Sequence, residues 1–219
     1  MYLPSHFEET RPEVLHQLVR HEPLGLLITT GADGPRADAI PFILDADPET
    51  GKTTLRAHVA RANPLWREAR TDVPSLVVFQ GPQAYISPSM YPSKAVAGKV
   101  VPTWNYVMVQ ARGTLRAIDD AAWLHAFVTR ITDRHEASRP APWAVSDAPP
   151  DYIATMLRAI VGIELELTSL TGKWKVSQNR PAADRDGVIA GLREDAGRTD
   201  NAQAAAMAAL VPSGSKGTP

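Results

Sequence analysis

A mainly β fold with helices (α+β), built as a small antiparallel, Greek-key-like barrel with capping helices, is what this sequence predicts, and three observations carry the prediction. Six or seven short segments alternate apolar and polar residues as half-buried strands do. Turn residues separate neighbouring strands closely enough for hairpins. Helices do not stand between each strand and the next, as a parallel doubly wound sheet would require.

The first element is a helix: Thr10 and Glu13 make a capping box, and Val14, Leu15, Leu18 and Val19 recur at helical spacing as far as His21. Leu24 to Thr30 is an apolar, β-leaning run, GADGP (Gly31 to Pro35) is turn chemistry, and Ala37 to Leu44 resumes an extended pattern, which together predict a hairpin. After a turn-rich piece, TLRAHV (Thr53 to Val59) alternates Leu55, Ala57 and Val59 with Arg56 and His58, a strand with one polar face. In RANPLWREAR, Asn63 stands at an N-cap and Pro64 at the first helical position.

Further strands are predicted at Ser75 to Gln80, Ala84 to Ser87 and Asn105 to Ile118, with a long loop from Pro88 to Pro102 carrying Tyr91, Lys94 and Lys99. Asp119 or Asp120 caps a helix with Trp123, Phe127 and Ile131 on one face. A Pro-rich connector and a short helix (Asp151 to Ile160) precede a last strand, Ile163 to Leu170, on which Glu164 and Glu166 are expected to face solvent. Two more helices, Asp184 to Asp195 and Asn201 to Leu210, and a disordered PSGSKGTP tail complete the reading. The expected organisation is one domain over residues 1–196, followed by a short helix and flexible tail over 197–219.

Composition narrows the function. With 23 Lys+Arg against 24 Asp+Glu, the net charge of -1 provides no global field for a nucleic-acid backbone or an anionic membrane. The acidic residues of the Asp184 helix further disfavour direct DNA contact. No cysteine is present, which excludes disulfides, thiolate nucleophiles, Cys-ligated metals and cysteinyl cofactor attachment. The charged first thirty residues argue against a secretory signal, and no apolar run reaches membrane-spanning length, so a cytoplasmic protein is expected. The six histidines lack zinc-motif spacing, so no metal site is expected, and neither a Gly-rich phosphate loop nor a GxSxG elbow occurs.

Three segments carry candidate chemistry. In ARANP (Ala60 to Pro64), Arg61 and a capped helix start follow a strand bearing His58, an arrangement suited to a phosphate or, equally, to a plain cap. In VPTWNYV (Val101 to Val107), Trp104 and Tyr106 flank Asn105 after Pro102, which suits a flat polar ligand or a strand start whose rings are core. In KWKVSQNR (Lys173 to Arg180), Ser177, Gln178 and Asn179 both donate and accept, as the edge of a heterocycle needs or as a polar turn provides.

These segments, with MYLPSHF, AHVARANPLW, YISPSMYPSK, VVPTWNYVMVQARG and KVSQNRP in order from Met1 to about Leu192, resemble the PaiB-type FMN-binding proteins, named as negative transcriptional regulators. The resemblance implies an FMN-binding split β-barrel similar to pyridoxamine-phosphate oxidases, a homodimer with FMN held non-covalently at the subunit interface. On that likeness Arg61 and Asn63, with His58 near them and Lys94 as a further cation, hold the FMN phosphate. Ala39, Ile40 and Pro41 lie along the isoalloxazine, Trp104 and Asn105 approach it from across the cleft, and Tyr106 falls on the opposite face as core. Ser177, Gln178 and Asn179 take the pyrimidine edge or ribityl chain.

The function so implied is a redox- or flavin-linked regulator. The alternatives are an FMN-dependent oxidoreductase or flavin reductase, and a haem-binding or haem-degrading relative. The basic and aromatic set that would grip pyridoxal phosphate is not identifiable in the sequence, and no catalytic residue is assigned.

Overall fold

The computed structural model describes residues 1–199 and 201–214; the end of the expected tail, residues 215–219, lies outside them. Eight strands form an antiparallel sheet: β1 Glu8–Glu9, β2 Leu24–Gly31, β3 Gly34–Pro41, β4 Ile43–Ala46, β5 Thr53–Ala60, β6 Ser75–Ile86, β7 Thr103–Ile118 and β8 Ile160–Lys175. Their order is β3-β2-β6-β7-β8-β5-β4, with β1 paired to β8, so the described strands trace a path with two ends, a split barrel. The helices are α1 Pro12–His21, α2 Leu65–Glu68, α3 Ser93–Ala97, α4 Ala121–Glu136, α5 Pro150–Arg158, α6 Ala182–Thr199 and α7 Ala202–Leu210. No helix among the described residues is long and apolar enough to cross a membrane.

The chain divides into two compact units. One comprises Met1–Leu18, Gln80–Val109 and the residues from Thr171 onward; the other comprises Val19–Phe79 and Gln110–Leu170. In the first, α1 lays Leu15 and Leu18 onto glycines of the sheet. A Cβ at Gly81 would stand 2.6 Å from Leu18 Cδ1, and one at Gly172 would stand 2.2 Å from Leu15 Cδ2. Gly81 is thus a packing residue inside one continuous strand, where the sequence predicts two strands broken at Gly81-Pro82. On α6, Val188 and Leu192 are buried, and α7 buries Ala204, Met207 and Ala208.

In the second unit, β2 and β3 form the expected hairpin with Gly31 opposite Gly34, and Gly34, which follows the Ala32-Asp33 tip, takes a φ of 103° that glycine adopts freely. Ile43, Phe127 and Ile131 form a core cluster covered by Trp123 and Val128, so α4 packs by the face its periodicity predicts. Its cap is Asp120, whose Oδ1 accepts from Trp123 N at 2.7 Å. Arg56 pairs across β5 and β8 with Glu164, and Arg116 approaches the same carboxylate.

Glu164 is therefore buried, against the expectation that it faces solvent, because two guanidiniums from neighbouring strands replace the water it gives up. Burial alone would raise its carboxyl, but the hydrogen bonds from Arg56 and Arg116 hold it below the usual range.

Several boundaries differ from the sequence reading. α1 begins at Pro12 with the Arg11 carbonyl accepting from Val14 and Leu15, so Arg11 occupies the N-cap position in place of Thr10. The loop from Pro88 to Pro102 contains a 3-10 turn, Pro88–Met90, and α3, which closes on Gly98 in the left-handed conformation. β8 runs to Lys175, because residues 172–173 find partners in β1.

Candidate functional site

The sequence-predicted site residues divide between the two units. In the unit built on Val19–Phe79 and Gln110–Leu170, the ARANP segment follows β5 as expected, but its helix is the single turn of α2 and carries Glu68. So short a helix gathers little macrodipole, which removes the electrostatic ground for an anion at its start. The Arg61 guanidinium makes four hydrogen bonds: it forks onto Asp119 at 2.7 and 2.6 Å and donates to the carbonyls of Arg158 at 2.7 Å and Ile160 at 3.0 Å. The ion pair with Asp119 is neutral as a whole, and the Arg61 side chain holds that carboxyl below its ordinary range.

Asn63 caps α2 through Oδ1, which accepts from Leu65 N at 2.9 Å, while Nδ2 donates to Asp38 at 3.0 Å. His58 packs edge-on to Phe127 with ring centroids 5.7 Å apart, its Nδ1 buried without a partner. Burial pushes its imidazole pKa down. Along β3, Ile40 is buried while Ala39 and Pro41 are exposed.

In the other unit the structure brings three of the predicted residues together. Asn105, Ser177 and Asn179 line a small cavity of about 50 Å³. Phe7, Thr103, Lys175 and Arg180 complete its wall. Asn105 is 1% exposed and exchanges hydrogen bonds with Ser177: Nδ2 donates to Oγ at 2.9 Å, and Oγ lies 3.2 Å from Oδ1. Ser177 has a φ of 63°, a left-handed backbone that costs a non-glycine residue about 1–3 kcal/mol and is typical of positions held for a purpose.

Lys175 Nζ donates to Thr103 Oγ1 at 2.6 Å and to the Trp104 carbonyl. The Arg180 guanidinium lies over the Tyr91 ring, 5.0 Å from its centroid.

Gln178 and Lys94 stand apart from this cavity. The Gln178 amide is committed to backbone: Oε1 accepts from Val176 N at 2.8 Å, and Nε2 donates to the carbonyls of His6 at 3.0 Å and Trp174. It shapes the turn instead of facing a ligand. Lys94 is exposed on α3.

The alternation of β7 also corrects the reading of VPTWNYV. Asn105 points inward with Val107 and Val109, whereas Trp104, 53% exposed, shares its face with Tyr106. Trp104 meets Tyr85 edge-on at 6.0 Å, and Tyr106 stacks with the Lys173 ammonium at 5.3 Å. Lys175 and Arg180 were not singled out from the sequence. Their signal is legible in KWKVSQNR, which places three cations in eight residues without an acid.

The α+β split barrel is shared with flavin-binding proteins of known structure. The FAD and heme binding protein from Mycobacterium smegmatis is similar over 84% of this chain and 80% of its own, with a TM-score of 0.57 at 18% identity. The flavocytochrome Anf3 from Azotobacter vinelandii is similar over 77% of this chain and 69% of its own, with a TM-score of 0.55 at 13% identity. At such identities these likenesses establish the fold.

The chain belongs to the FMN-binding family whose model, described as "Putative FMN-binding domain", matches residues 1–169. The "Protease synthase and sporulation protein PAI 2" of Bacillus subtilis (strain 168) is 32% identical over 213 residues, covering 96% of both chains. The uncharacterized protein AN0679 of Emericella nidulans is 37% identical over 237 residues, covering 90% of this chain and 94% of that one.

FMN is the cofactor of this domain, and the residues of the first unit fit it. Exposed Trp104 and Tyr85 offer flat apolar surface, the Asn105–Ser177 pair and Asn179 offer neutral donors and acceptors, and Lys175 and Arg180 bring positive charge. Bound FMN would supply hydride and electron transfer, and these side chains would supply position and electrostatics.

Proposed function

We propose that this protein is a flavin-linked regulator: a cytoplasmic homodimer that binds FMN non-covalently and responds to its presence or redox state. The observation that carries the reading is the cavity in which Asn105, within the FMN-binding domain matched over residues 1–169, converges with Lys175, Ser177, Asn179 and Arg180 from the segment that follows the matched range. The regulatory half of the proposal is supported by the PaiB-type resemblance and by the printed name of the Bacillus subtilis relative, which refers to protease synthesis and sporulation.

A second copy of the chain is the proposed partner. Leu24, 63% exposed, and Leu26 project from β2, and their partners across the hairpin, Pro41 and Ala39, are exposed as well. An apolar sheet face of this kind is what an isologous dimer buries.

The test is the visible absorption spectrum of the purified protein after incubation with FMN and removal of unbound ligand. Retained flavin bands that NADH and NADPH fail to bleach are expected. Rapid bleaching with turnover would replace the regulator by a flavin reductase, and failure to retain FMN would overturn the flavin reading.

A further inference from the structure

The cavity of the first unit has an imbalance of charge that the flavin reading by itself does not explain. Lys175 and Arg180 both line it, and neither forms an ion pair with a carboxylate among the described residues. Asp184, which lies near Tyr91, is committed to the backbone N–H and hydroxyl of Ser93 at 3.0 and 2.8 Å. A third cation, Lys173, is buried close by and donates to the Tyr2 carbonyl at 3.0 Å. Burial and the positive charges of Lys173 and Arg180 together push the Lys175 ammonium down.

The other wall groups are neutral: the Asn105–Ser177 pair, Asn179 and Thr103 can donate hydrogen bonds without adding or cancelling charge.

We infer that this cavity is a phosphate-recognition site, in which Lys175 and Arg180 take the phosphomonoester dianion of FMN and Asn179 serves as its neutral hydrogen-bond partner. The inference rests on the flavin reading and assigns the phosphate end to KVSQNR in place of ARANP. Two magnitudes decide for a phosphate over a ring edge. The cavity, about 50 Å³, has room for one small group. A neutral pyrimidine edge needs no net charge opposite it, whereas a dianion matches two cations. Arg61 cannot play the same part without giving up Asp119, since that pair carries no net charge.

The experiment compares FMN with riboflavin, which lacks the phosphate, by flavin fluorescence quenching. The proteins are the full chain and its Arg180→Gln, Lys175→Met and Arg61→Gln variants, each checked for native far-UV circular dichroism. The wild type is expected to prefer FMN over riboflavin by about a hundredfold, the range of two charge-assisted contacts. Arg180→Gln is expected to weaken FMN about tenfold and leave riboflavin unchanged. Lys175→Met should do the same if it folds, Arg61→Gln should preserve the preference, and inorganic phosphate should compete with FMN but not with riboflavin.

Unchanged FMN affinity in Arg180→Gln, or equal losses for FMN and riboflavin, would overturn the assignment while leaving FMN binding intact. If the wild type binds neither flavin but phosphate raises its Tm and not that of Arg180→Gln, the flavin reading falls and the anion site stands with a different phosphate ligand. Neither flavin binding nor a phosphate effect would overturn both.

Discussion

At the scale of single residues, the polar side chains around β7 and the KVSQNR turn do different work although they are neighbours in sequence. Asn105 and Ser177 are buried and satisfy one another, so Asn105→Ala leaves the Ser177 hydroxyl without its partner. A loss of about 1–3 kcal/mol is expected, measured as a lower urea midpoint at unchanged slope. At Ser177 the backbone discriminates between substitutions. With φ at 63°, Ser177→Val should be clearly less stable than Ser177→Gly, because glycine adopts that conformation freely and a β-branched residue does not. Gln178, three residues from the end of β8, is a structural residue, since each end of its amide is tied to backbone.

At the scale of elements, glycines set how closely the strands and helices approach. A Cβ at Gly113 on β7 would lie 2.1 Å from the Glu166 carbonyl oxygen on β8, and backbone cannot move aside as a flexible side chain can. Gly113→Ala is expected to cost about 3 kcal/mol, the upper part of the usual range for over-packing. Gly197, exposed in the last turns of α6 with open space around it, is the counterpart. Gly197→Ala should stabilise by about 0.5–1 kcal/mol through helix propensity alone, and opposite shifts in Tm would verify the pair. The same element-scale view explains the short α2: after Glu68 the chain turns extended at Ala69, and Arg70 N donates to the Thr30 carbonyl instead of continuing the helix.

At the scale of the whole molecule, two properties are expected to follow from what is exposed and what is buried. Leu24→Lys combined with Leu26→Lys places charge on the apolar face of β2, and light scattering should show a monomer where the wild type is a dimer. Stability should also depend on pH in two windows. Burial lowers the His58 pKa, so below about pH 6.5 the unfolded chain takes up a proton that the folded chain resists, and stability falls as the pH drops through that window. The contribution is present in full above it. His58→Gln should flatten the decline of the urea midpoint between neutral pH and pH 5. Glu164 and Asp119, held low by their arginines, lose their contribution at more acidic pH, progressively as the pH falls from the ordinary carboxylate range through their lower folded values.

Local pattern alone determined much of this protein. The GADG hairpin, the face of α4, the Asn63 cap and the strand alternation of β5 each depend on residues within a few positions of one another, so periodicity and turn chemistry reveal them. The class of ligand was implied by the family resemblance, since KWKVSQNR and VPTWNYV by themselves fitted a ligand edge or an ordinary polar turn and strand start. Only the tertiary structure decided which of those groups have charge to offer. Arg61 meets an Asp 58 positions away, Glu164 meets Arg56 across 108, and Asn105 meets Ser177 across 72. An ion pair or a buried hydrogen bond is formed by groups close in space, and strand order, which no local window contains, is what brings them there.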